Sequence, residues 1–107
     1  MRMWGVDPIK ICNRHLLGEH VEMHMFVGTI KNGISIDGYI KKGLVSPKLL
    51  KIRHDILAYE MIKRGMNHQS PIVDFFDNRE GFITPLAEKE LFSRCENCRS
   101  RIEYNRV

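Results

Sequence analysis

Apolar residues recur at helical rather than strand spacing along most of this chain. Leu49, Leu50, Ile52, Ile56, Leu57 and Met61 recur at helical spacing between a Ser46-Pro47 start and a Lys63-Arg64-Gly65 end. That stretch is predicted to be the clearest helix in the chain. Upstream, Asp7 can cap a helix and Pro8 suits its first position. A long helix is then expected over about residues 13–31, stopped by Asn32-Gly33. "SIDGYIKKG" reads as a short helix or turn. "NHQSPIVDFFDNREGFIT" reads as an irregular connection anchored by Phe75 and Phe76, and a last helix is expected over 85–102. No strand pattern persists. The expected fold class is all-α: one compact domain over residues 1–107, with three main helices and a long irregular connection.

On a wheel of about 100° per residue, His15, Gly18 and Glu19 fall within about 60° of Glu22. Leu16, Met23, Val27 and Ile30 flank this stripe on one side, and Leu17, Val21 and Met25 on the other. A helix apolar on both flanks is expected to be largely buried, so the stripe should line a cleft. Gly18 in mid-helix costs about 1 kcal/mol relative to alanine, which fits a close approach to the backbone. His20 and His24 lie on the opposite side of the helix. "HVEMH" therefore cannot bring both histidines and Glu22 to one metal, and it lacks the HExxH order. These two histidines are expected to be partly buried and locally hydrogen-bonded.

Composition narrows the class. With 43% hydrophobic and 28% charged residues the chain has the make-up of a folded domain, and no apolar run approaches a membrane span. The first twelve residues lack a signal peptide's apolar block, so the expectation is a cytoplasmic monomer. The net charge of +4 is uneven. Residues 31–64 carry eight basic groups against three acids, and residues 91–107 four arginines against two acids. A basic middle and tail suit a polyanion such as nucleic acid. Three cysteines, an odd number, argue against a disulfide framework. Cys95 and Cys98 form half a zinc site, which Cys12 and a histidine would complete. The spacing does not demand it, and the expectation is reduced thiols with no metal and no cofactor.

"NRHLLGEHVEMHMFVG" resembles the first-helix segment of the pyrimidine-dimer DNA glycosylases, the family of the phage UV endonuclease. The matching residues are His15-Leu16, Glu19, Glu22 and Phe26, with a helix ending in "NG". "LLKIRHDILAYEMIKRGMN" is similar to that family's second long helix, and the C-terminal helix with Tyr104 resembles its end more loosely. The resemblance implies a helical fold, damaged double-stranded DNA as partner, and glycosylase with AP-lyase activity on UV-induced pyrimidine dimers.

It also implies a catalytic pair, Met1 and Glu22. The nucleophile would be the α-amine of Met1, which is expected to be retained because Arg2 is too large for normal methionine removal. An α-amine titrates near about 7.7–8.0, against about 10.4 for lysine, so part of it is neutral at cellular pH. Arg2 and His15 would hold phosphate or sugar, and Lys48, Lys51, Arg53 and His54 on the middle helix the DNA backbone. Two arginines that the family carries around the glutamate are Val21 and Met25 here, so His20, His24, Arg14, Lys10 and Arg53 stand as candidate replacement cations. The alternatives are a glycosylase or lyase for another lesion or for abasic sites, and a non-catalytic DNA-binding module of the same fold.

Overall fold

A computed structural model describes residues 1–105, with side chains described through Arg101; the Tyr104 side chain lies outside the described ones. The described part is mainly helical. A short 3-10 turn, Pro8–Lys10, is capped by the Asp7 side chain, which accepts from the Ile9 amide. Helices α1 (Asn13–Lys31), α2 (Asp37–Lys41) and α3 (Leu50–Lys63) follow, and α4 (Ala87–Arg94) and α5 (Glu96–Asn105) end the described chain. Helix α1 stops at Asn32, where Gly33 takes a left-handed φ of 72° that a side chain would resist.

Four expectations need correction. The last helix is two helices, because Cys95 is extended (φ −123°, ψ 109°) and separates α4 from α5. A small antiparallel pair joins β1 (Leu44–Val45) to β2 (Phe82–Ile83), with Leu44 opposite Ile83 and Val45 opposite Phe82. Two-residue strands are too short to leave an alternating pattern. In the connection, Ile72 is the buried anchor, while Phe76 is 87% exposed and Phe75 packs only partly against the core. The start of the α3 segment also differs in detail. Pro47–Leu49 is a 3-10 turn, and the Ser46 hydroxyl accepts from the Gly81 amide instead of capping the helix.

Helices α1 and α3 pack together to form the centre of the molecule. Leu16, Met23, Phe26 and Val27 of α1 meet Leu50, Leu57 and Met61 of α3 in one apolar cluster. Met3, Trp4, Leu91 and Cys98 join the same cluster, so both ends of the described chain close over the helix pair. Among the described residues no helix is long and apolar enough to cross a membrane.

Candidate active site

The α1 stripe divides into an inner and an outer part. On its inner side Glu19 is fully buried. Its carboxylate accepts from Arg53 Nε at 2.7 Å, Arg53 Nη2 at 2.9 Å and the Trp4 amide at 3.1 Å. This fork-on-carboxylate pair, with Arg53 also donating to the Val6 carbonyl, is fully partnered, so a buried ion pair is sustainable there. Its effect is to tie the N-terminal segment and α3 to the first helix. A second tie, from the Met3 amide to the Leu44 carbonyl at 2.6 Å, fixes the same segment against the strand pair.

Held in this way, the Met1 nitrogen lies 3.9 Å from Glu22 Oε1. That is an ion-pair distance, longer than a direct hydrogen bond. Glu22 is on the outer side of the stripe and keeps 30% of its side chain exposed. Burial pushes its carboxyl above the ordinary carboxylate value. The N-terminal ammonium and Arg2, through its amide and its charge, pull it down, while Glu19 adds to the rise.

Both groups line a cleft of about 630 Å³. Arg2, Arg14 and Arg94 supply its cations, Trp4 and Leu17 its apolar surface, and Gly18 part of its floor. A methyl group built on Gly18 meets nothing within 4 Å, so the missing side chain leaves open space there. The Arg2 guanidinium lies 3.8 Å from the Trp4 ring centre and donates to Glu90 at 2.7 Å. Its Nε and Nη2 are buried with no hydrogen-bond partner among the described residues, leaving donor capacity for an anion. Burial lowers His15 below its ordinary pKa, and the Arg14 and Arg94 charges add to this.

Of the expected site residues, Met1, Arg2, Arg14, His15 and Glu22 converge on this cleft. Arg53 and His54 do not. Arg53 is committed to Glu19, and His54 is buried between the Asp55 carboxylate and the Ser70 carbonyl. Lys10, Lys48 and Lys51 are largely exposed and paired with Glu88, Glu80 and Asp55; such surface pairs exchange readily for other anions. Leu17, Val21 and Met25 correct the expectation of burial on both flanks. Each is close to half exposed, so this flank faces outward beside or near the cleft.

Sequence reasoning missed Arg94 and Trp4, which reach the cleft from the end of α4 and from the segment before the first turn. No spacing links them to Glu22. It also missed that His20 and His24 join His54 and His68 in a cluster of four imidazoles, with ring centres 4.5–5.3 Å apart. Burial lowers the His20 pKa to about 4, and its three histidine neighbours add to the effect.

The fold and the cleft together define a small helical protein with an amine and a carboxylate facing each other in a cationic cleft. A family model described as pyrimidine dimer DNA glycosylase matches residues 1–74. The chain belongs to that family, and its class of activity is that of a DNA repair glycosylase acting on damaged DNA. No curated protein and no solved structure matches it at a significant level.

Proposed function

We propose that the protein is a bifunctional glycosylase and AP lyase for UV-induced pyrimidine dimers, with the Met1 α-amine as nucleophile and Glu22 as its carboxylate partner. The observation that carries this reading is the 3.9 Å approach of the Met1 nitrogen to Glu22 Oε1 in the cationic cleft. The neutral amine attacks C1′ of the damaged nucleotide, and the base departs with the electron pair of the N-glycosidic bond. Loss of a proton from nitrogen and opening of the sugar ring leave an imine. Glu22 stabilises the positive charge that develops on the sugar and then takes a C2′ proton. The electrons of that C–H bond form a C2′–C3′ double bond and expel the 3′ oxygen, which breaks the strand. Water hydrolyses the imine and restores the amine.

Arg2, Arg14 and Arg94 give the cleft a positive rim suited to a phosphate. The exposed Lys10, Lys48 and Lys51 supply sequence-independent backbone attraction. Leu17 and Val21 offer an apolar wall against which an unstacked base can rest.

Val21 and Met25 favour a second reading, a lyase for abasic sites, because they replace cations that would engage an intact lesion. Borohydride trapping separates the two. A covalent adduct at residue 1 on UV-irradiated duplex is the expected result. An adduct on abasic DNA alone selects the second reading. No adduct on either leaves a DNA-binding module and overturns the enzymatic readings.

A further inference from the structure

The three cysteines form a second cluster with His15, which also lines the cleft that holds the amine and carboxylate. Cys12 precedes α1, His15 lies in its first turn, Cys95 separates α4 from α5, and Cys98 lies in the first turn of α5. Their four ligand atoms all lie within 4.8 Å of one another. Cys12 Sγ is 3.3 Å from His15 Nδ1 and 3.8 Å from Cys95 Sγ, and Cys98 Sγ is 3.7 Å from His15 Nδ1. A tetrahedral zinc ion, with bonds of about 2.3 Å to sulfur and 2.0–2.1 Å to nitrogen, sets its sulfurs about 3.8 Å apart and sulfur about 3.5–3.6 Å from nitrogen.

We infer that Cys12, His15, Cys95 and Cys98 form a structural zinc site that clamps the C-terminal helix pair to the start of α1.

Three further observations support the site. All three thiols are free, and the Cys12–Cys95 separation is far beyond a disulfide bond of about 2.05 Å. The Cys12 amide donates to Cys98 Sγ at 3.3 Å and the Cys98 amide to Cys95 Sγ at 3.5 Å. Such amides stabilise thiolate charge around a bound metal. The extended backbone at Cys95 interrupts what would otherwise be one helix and lets the CxxC sulfurs converge with Cys12.

Zn²⁺ would displace the three thiol protons, and four protein ligands would leave no open coordination position. The role is therefore structural. The clamp would seat α4, whose Glu90 holds Arg2 and whose Arg94 lines the cleft. His15, bound through Nδ1, would keep only Nε2 for a substrate contact. Two of the four ligands lie beyond residue 74, outside the segment the family model matches.

The test is metal analysis of the full-length protein purified under reducing conditions from zinc-supplemented cells, with cobalt replacement as a second measurement. One zinc per chain is expected, as is a thiolate-to-metal charge-transfer band with intense tetrahedral visible bands when Co²⁺ replaces it. His15→Cys should keep one metal per chain and shift the cobalt spectrum, whereas Cys95→Ala should weaken zinc retention against a chelator at least tenfold. Protein that is metal-free and gives no thiolate band with added Co²⁺ would overturn the proposal. So would a bound metal whose cobalt spectrum has no thiolate component, since that ion would sit among the histidines of α1 and α3.

Discussion

Glu19 and Glu22 stand less than one helical turn apart, yet Glu19 is closed in by Arg53 and the Trp4 amide while Glu22 keeps an exposed edge toward the Met1 nitrogen. The sequence placed both on one stripe. The family resemblance singled out Glu22, whereas periodicity alone could not, because which edge of the stripe faces the core depends on where α3 packs. Glu22→Gln should keep DNA binding and lower the β-elimination rate by about 10²–10⁴-fold, the range for a lost general base. Single-turnover cleavage of abasic duplex measures it, and a rate within twofold of the parent would remove Glu22 from the mechanism. Because burial raises the Glu22 pKa, the acid limb of the β-elimination step alone, followed after imine formation by the neutral amine is complete, should lie above that of an ordinary carboxylate. Gly18 is informative in the opposite sense. Gly18→Ala should stabilise the helix by about 0.5–1 kcal/mol in urea melts, because the added methyl meets open space. Gly18→Leu should fold yet lose cleavage, since its side chain would extend into the cleft.

At the level of the elements, helix termini were the most legible part of the sequence. Pro8, Pro47, Asn32-Gly33 and Lys63-Arg64-Gly65 carry their own backbone preferences, and the observed bounds follow them closely. The break at Cys95 was not legible, because Arg94, Cys95 and Glu96 are each tolerated inside a helix. What separates them from a helix is contact with residues more than eighty positions away. The outward flank of Leu17, Val21 and Met25 was also misread, since an apolar pattern alone does not distinguish a core face from one beside a cleft. Between elements, the strongest single tie is Glu19 with Arg53. Arg53→Met should destabilise the fold by about 3–5 kcal/mol, because it leaves a buried carboxylate unpaired. The double variant Glu19→Leu with Arg53→Met should recover much of that loss. Chemical denaturation of both variants checks this, and a single variant as stable as the parent would mean the pair contributes nothing.

For the molecule as a whole, the four-histidine cluster between α1, α3 and the following connection sets a pH dependence. His20 titrates near 4 when folded against an ordinary 6.5, so between those values the unfolded chain binds a proton that the folded one refuses. Its contribution to stability is therefore unchanged above about pH 6.5, is lost progressively as pH falls toward 4, and changes no further below that. The groups facing it, His24, His54 and His68, act in the same direction on His20 through their own charge. Urea midpoints at pH 7.5 and pH 5 should show the drop, and His20→Gln should reduce it. An equal drop in that variant would assign the pH dependence elsewhere. The global charge distribution was readable from the sequence, but the assembly of the cationic rim was not. Arg94 reaches the cleft through the packing of α4, a contact carried by no local pattern.

The Met3 and Trp4 amides are both tied down, one to Leu44 and the other to Glu19. Arg2 is held as well, by its amide at Glu22 and its side chain at Glu90, so the proposed nucleophile sits one residue from a fixed point. One added residue would carry the terminal nitrogen about 3.8 Å onward, a step as long as the whole gap to Glu22. The chain thus acts as a ruler with little slack, and its working length is counted in single residues. A leftover glycine ahead of Met1 should abolish imine trapping while leaving the melting temperature unchanged, and the same glycine added at the other end of the chain should be silent.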